Sequence, residues 1–260
     1  RHVHQAVLLG MDGAYDQNGR LDQAHTDFLI GNDYVLKTAH TYPDEFLAGV
    51  SINPQRRDAV DEVHRCADAG AVLVKVLANA QQFDPANKAY IPFYRALAER
   101  KLPFLSHVGY EFSLIGKDQS VGEPDRLRLA LDEGTTVIAA HACSYGLILY
   151  EKFLPTLHDL VQRYPHFYAD ISALTLPNRL RMLLQLRKYP EVHECLLFGT
   201  DYPLPVFQLA AWGRVGLGTL RTLLAVRNRF DRQVDVCRAL RLGFRSIGDL
   251  ISPVSVQAPH

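Results

Sequence analysis

PFLSHVGYEFSLIGKDQSVGEPDRLRLALDEGTTVIAAHA, residues 103–142, decides the architecture. It opens on a short apolar run that ends in His107, crosses a polar loop, and continues into an amphipathic stretch led by Pro124. A second apolar run then ends in His141. Runs that are apolar at nearly every position, rather than at alternate ones, belong to strands covered on both faces. Proline is well placed in the first turn of a helix because its missing N–H has no intrahelical partner there. The segment therefore reads as strand, helix and parallel strand, with a histidine at the exit of each strand.

The same grammar repeats on both sides. Ala6–Met11, Phe46–Ile52, Ala71–Leu77, Pro103–Val108, Thr136–Ala142, His166–Ser172 and Cys195–Thr200 are seven strand-like runs. Helical patterns fall between them at Arg56–Ala69, Tyr90–Lys101, Pro124–Glu133, Tyr150–Tyr164 and Pro177–Tyr189. An open doubly wound sheet would use the same alternation. The turn after the first run, GMDGAYD at residues 10–16, lacks the GxGxxG spacing of a phosphate-binding turn. An α/β fold of the (β/α)8 TIM-barrel type is preferred, as one domain over residues 1–260. A barrel of eight needs one more strand, and past Asp201 the pattern turns helical and ends in a polar tail. The first strand is expected before Arg1.

Composition narrows the partners. At 260 residues and 48% hydrophobic content the chain can bury one large core, and its 28 basic residues balance 28 acidic ones. No net field favours nucleic acid or an anionic membrane surface, so a small-molecule substrate is expected. Cys66, Cys143, Cys195 and Cys237 form no CxxC pair and no basic, apolar leader opens the chain, which fits a reduced, cytoplasmic protein. Arg214 and Arg221 interrupt the apolar stretch Leu209–Val226, so no membrane span is read. Assembly into a homo-oligomer is left open.

In barrels the chemistry gathers at the C-terminal ends of the strands. His107, His141 and Asp201 all follow strand-like runs at that end. A single strand-end histidine is commonly a satisfied hydrogen-bonding residue, but two imidazoles and a carboxylate at matching places suit a divalent metal, zinc above all. Lys75 interrupts AVLVKVL and, in a strand covered on both faces, should point into the barrel. There it either satisfies an acid or serves near metal or substrate. Glu111, four residues after His107, and Asn53, at the end of FLAGVSI, are candidates to orient substrate. A surface carboxylate and an Asn-Pro turn are the plainer readings. Asp170 lies inside a strand and should be paired, whereas Tyr202 and Pro203 shape a loop and Cys143 is packing.

LPFLSHVGYE, VIAAHAC, YADIS and LLFGTDYP, with GVSINPQRRDAV and VLVKVLANAQQFDP, resemble the branch of the amidohydrolase superfamily that includes aminocarboxymuconate-semialdehyde decarboxylase. The likeness runs from Ala6 to Pro205. It implies a metal-dependent barrel in which His107 matches the strand-five metal ligand, His141 the strand-six histidine and Asp201 the strand-eight aspartate. The superfamily's remaining ligands are an HxH pair on strand one. This chain has His2-Val3-His4, but before a strand rather than after one, so both are read as surface residues and the ligand set as incomplete. Some members carry a carboxylated strand-four lysine between two metals, but the branch resembled here uses one metal, so Lys75 is not assigned that modification. The implied activity is hydrolysis of an amide, ester or lactone, with Asp201 as base and His141 as oxyanion stabiliser or second acid/base. Decarboxylation of an unsaturated carboxylic acid is the alternative, and a non-catalytic barrel is a third.

Overall fold

The computed structural model describes residues 3–112, 114, 116, 118–148 and 150–251. In chain order the elements are β1 (Ala6–Leu9), α1 (Asn32–Thr41), β2 (Phe46–Val50), α2 (Ala59–Asp68), β3 (Ala71–Val76), α3 (Ala78–Gln81), α4 (Ile91–Glu99), β4 (Phe104–Ser106), α5 (Arg128–Asp132), β5 (Val137–Ala139), α6 (Leu154–Arg163), β6 (Phe167–Asp170), α7 (Leu180–Leu186), β7 (Leu196–Leu197), α8 (Leu217–Ala225) and α9 (Arg229–Ala239). All seven expected runs contain strands. Each strand is shorter than its run, because the last residues of most runs leave the ladder to build the rim. Pro92 and Pro155 sit in the first turns of α4 and α6, as the sequence pattern requires.

The strands form one sheet in the order β1 to β7, every neighbouring pair parallel. Its outer face packs Val74, Phe104, Val137, Ala169 and Leu196 against helix residues such as Val63, Leu97, Leu131, Leu160 and Leu186. A separate cluster joins Val72 and Leu73 of β3, Leu105 of β4, Ile138 of β5 and Leu197 of β7. Strands that far apart in a flat sheet could not share one inner cluster, so the sheet curls around a lumen. This is the (β/α)8 TIM-barrel fold represented by seven strands, with β1 and β7 at the two edges and no strand joining them among the described residues.

Two features depart from the sequence reading. NDYVLKTAHT, residues 32–41, has no long apolar run, yet Val35, Leu36 and Ala39 share one helical face and are buried, making it α1. The chain beyond Asp201 also returns to the sheet. Arg245 forms a parallel bridge with β7, its N–H donating to Leu196 O at 2.8 Å and its carbonyl accepting from Phe198 N at 2.8 Å. Ile247, Leu250 and Ile251 then pack into the inner cluster. This is one bridge rather than an eighth strand, so no strand follows Asp201 among the described residues, although the chain there touches the sheet.

Phe104 is fully buried with its ring edge-on to Phe93 and Tyr94 at centroid distances of 6.2 and 5.6 Å. Phe104→Ala is expected to lower unfolding free energy by about 3–5 kcal/mol, read by urea denaturation. Leu217→Ala, at a site 75% exposed on α8, should change it by no more than about 0.5 kcal/mol. Equal losses at both positions would contradict the core drawn here.

Candidate active site

Parallel strands deliver their C-terminal ends to one rim, and the register sets which side chains meet there. Lys75, Leu105, Ile138 and Tyr168 lie level across β3 to β6. Two residues further along each strand, on the same face, come His107, Ala140 and Asp170. His107 keeps the ladder's hydrogen bond, its N–H donating to Val76 O at 3.0 Å, and its side chain is 5% exposed.

His141 is one residue out of step, and a continuing strand would carry its side chain to the helix face. The chain instead turns left-handed: φ is 58° at His141, 49° at Ala142 and 60° at Cys143. Each such residue without glycine costs on the order of 1 kcal/mol. The turn is held by Asp170, whose Oδ1 accepts the His141 N–H at 2.9 Å, and by Ser144 N donating to His141 O at 2.8 Å. The result is an imidazole inside the site, 3% exposed, with Nε2 at 3.2 Å from His107 Nδ1. Its Nδ1 lies 2.9 Å from Ser172 Oγ and 3.2 Å from Ser172 O.

Asp201 follows β7 in a left-handed conformation, φ 57°, and brings Oδ2 to 4.0 Å from His141 Nε2. Gly199, between β7 and Asp201, lets the strand pass close to β6, since a Cβ there would sit 3.2 Å from Ser172 Cβ and 3.4 Å from Asp170 Cβ. Glu111 places Oε2 at 3.8 Å from His107 Nε2, and its loop is pinned by Gln119, which accepts from Glu111 N and donates to Glu111 O, each at 3.0 Å. His107 Nε2 is buried and has no hydrogen-bond partner among the described residues.

Charge around the site follows from burial. Burial, then the nearby Arg179 guanidinium, pushes both imidazoles well below their ordinary 6.5, so each is neutral. Burial raises the Asp201 carboxyl, against the pull of Lys75. Burial lowers the Lys75 ammonium, while Asp201, Asp170 and Glu111 favour its charge. Lys75 makes no direct ion pair among the described residues. Arg179 was not singled out by sequence. It is 5% exposed and donates to Ser144 O at 3.1 Å and Val108 O at 3.4 Å, tying together the loops after β4 and β5. Nothing in LPNRLRML marks it, because its partners are backbone atoms remote in sequence.

The structure thus brings together His107, His141, Asp201 and Glu111, with Lys75 in the same lumen. His141 has both ring nitrogens engaged, so it would reach a metal only by giving up a bond. Among the described residues no group of three or more His, Cys, Asp or Glu side chains is gathered closely enough to hold a metal ion. Asn53, expected to orient substrate, spends both amide hydrogens on Gly13 O at 2.9 Å and Gln81 O at 2.8 Å. Its Oδ1 accepts from Gln55 N at 3.0 Å. It is a tie between the loops after β1, β2 and β3, with no amide hydrogen left over. His4 is exposed ahead of β1, at the opposite end of the strands from His107. His2 lies outside the described residues.

Comparison with known proteins gives a family match over residues 5–213, to the family described as amidohydrolase. Among solved structures, an uncharacterized TIM-barrel protein from Bordetella bronchiseptica is similar with TM-score 0.62 and 18% identity, over 92% of this chain and 77% of that one. A protein assigned as 2-pyrone-4,6-dicarboxylic acid hydrolase from Pseudomonas putida has TM-score 0.51 and 16% identity, over 81% and 77%. The 5-carboxyvanillate decarboxylase LigW from Sphingomonas paucimobilis has TM-score 0.50 and 12% identity, over 81% and 71%. No curated protein matches. At these identities the solved structures speak for the fold alone.

The neutral imidazoles set a pH dependence. Because their folded pKa lies below the unfolded 6.5, the unfolded chain binds protons that the folded one refuses, so stability is complete above about 6.5 and is lost as pH falls through it. In metal-free buffer each should contribute a loss approaching about 1.4 kcal/mol per pH unit below that point. Urea unfolding at neutral and mildly acidic pH should show His107→Gln and His141→Gln each with a shallower dependence than the parent. Identical slopes in all three proteins would mean that the imidazoles are not buried neutral.

Proposed function

The chain belongs to the amidohydrolase family, and on that premise we propose that it is a metal-dependent enzyme that hydrolyses an amide, ester or lactone bond of a small molecule. The observation that carries this reading is the bare Nε2 of His107. It is a buried, neutral imidazole nitrogen with no hydrogen-bond partner among the described residues, and Glu111 Oε2 lies 3.8 Å away. An unsatisfied buried polar atom is costly unless something meets it. A lone pair beside a carboxylate is suited to meet a cation. His107 would be the first ligand; Asp201 and Glu111 stand at the same rim but are not gathered closely enough around it to complete a set, and would have to close in to add oxygen donors. Nitrogen and oxygen donors accept zinc, and equally manganese, iron or cobalt.

A divalent cation held there would polarise the substrate carbonyl and make a bound water more acidic. The chain's own groups do the rest. Asp201, with its basicity raised by burial, takes the proton from the attacking water and returns it to the leaving group. His141, 4.0 Å from Asp201 and engaged at its two ring nitrogens by Ser172 and His107, orients the site and has no ring hydrogen left over for the substrate. Lys75 supports a second reading, decarboxylation. A lumen amine without a direct ion pair among the described residues is matched to a substrate carboxylate, and Asp201 would then protonate the carbon left behind. The four cysteines are all unpaired and buried, which supports a reducing, cytoplasmic setting. No helix among the described residues is long and apolar enough to cross a membrane.

Metal content of the purified protein, and turnover on lactones, esters, amides and unsaturated carboxylic acids with and without chelator, test both readings. Release of CO2 rather than uptake of water would select the second. Asp201→Asn is expected to retain metal while turnover drops by roughly 10²- to 10⁴-fold. His107→Ala should lose metal and activity together, with partial recovery on added metal. Normal turnover in Asp201→Asn with its metal in place would overturn the assignment of the base.

A further inference from the structure

We infer that Asp170 and Ser172 act through His141 to fix the tautomer of His107, so that the Nε2 lone pair of His107 faces the site. These are positioning residues, and the inference deepens the metal reading on which it rests. The direction of every proton follows from the acceptor at the end of the row. Asp170 is a carboxylate and can only accept. Its Oδ1 takes the His141 N–H at 2.9 Å, the Ser172 N–H at 2.9 Å and the Ser172 hydroxyl.

Having donated its single hydrogen to Asp170, the Ser172 Oγ faces His141 Nδ1 at 2.9 Å as an acceptor. The other group bonded to that nitrogen among the described residues, Ser172 O at 3.2 Å, is also an acceptor. His141 therefore carries its hydrogen on Nδ1. The His141 ring is 3% exposed and no carboxylate lies within hydrogen-bond distance of it among the described residues, so it holds one hydrogen and its Nε2 is a lone pair. The atom 3.2 Å from it, His107 Nδ1, must then be the donor. That places the one hydrogen of His107 on Nδ1 and leaves Nε2 unprotonated, which is the buried atom without a partner. Had the row run the other way, His107 Nε2 would carry a hydrogen and could not bind a cation.

Outer partners of metal-binding histidines commonly work by holding a tautomer, and their removal typically costs 10- to 100-fold in affinity. Here the row reaches through a second imidazole, and it joins β4, β5 and β6 at one rim. The strain at His141 is part of the same device, because only the left-handed turn brings its ring between Ser172 and His107.

Two measurements on the metal-free protein and its variants test this. Nitrogen-15 NMR of histidine-labelled protein, with His107→Gln and His141→Gln used to assign the signals, should show Nδ1–H and bare Nε2 in both rings. An Nε2–H on either ring would overturn the proposal. By calorimetry with Zn²⁺ and with Mn²⁺, Ser172→Ala should bind about 10-fold more weakly, near the lower end of that range because the Ser172 carbonyl still accepts from Nδ1. Ser172→Thr, which keeps the hydroxyl, should restore parental affinity, and parental affinity in Ser172→Ala would count against the row. If neither metal binds the parent while both rings show the stated tautomers, the proton row stands and the metal reading fails.

Discussion

The hydrogen bond from His141 N–H to Asp170 Oδ1, at 2.9 Å, is the contact around which the rim is organised. In an all-parallel sheet the residue level with His107 is Ala140, just past β5, so the second histidine arrives one step late and on the wrong face. Turning it inward needs a left-handed backbone, which a residue with a side chain adopts only when something holds it there. Asp170, the last residue of β6, supplies that hold and in the same atom anchors Ser172. Remove the carboxylate and the bond, the turn and the orientation of both imidazoles lose their common support.

Most of the fold was legible because strands buried on both faces cannot hide their composition. AVLVKV and PFLSHV are apolar at position after position, and each became a strand of the sheet. The features that escaped are those whose cause lies far away in sequence. NDYVLKTAHT looks polar until its three buried apolar residues are placed on one face. Arg245 joins β7 as a single bridge, and no local pattern distinguishes such a residue from the rest of a tail.

The site divides along the same line. His107 and Asp201 could be found because they follow strands at the end where barrels keep their chemistry, and Lys75 because charge inside an apolar strand has few outlets. Ser172 and Arg179 could not, since the contacts that give them a part in the site, to His141 and to Val108, lie 31 and 71 residues away. Asn53 shows the converse. Its place at a strand end is that of a substrate residue, yet its amide is wholly taken by neighbouring loops, and only coordinates reveal that no donor hydrogen is left over.

The three left-handed residues at 141–143 bear on how this protein can be altered. At Ala142 and Cys143 a glycine would relieve steric cost in the folded state, although it would add freedom to the unfolded chain. A library screened for thermal tolerance alone would therefore be drawn toward glycine at Ala142, where only a buried methyl group is given up. The same replacement would slacken the backbone that aims His141. Heat resistance won at this turn would trade against aim, so a variant selected there needs a second screen for ligand binding before it is kept.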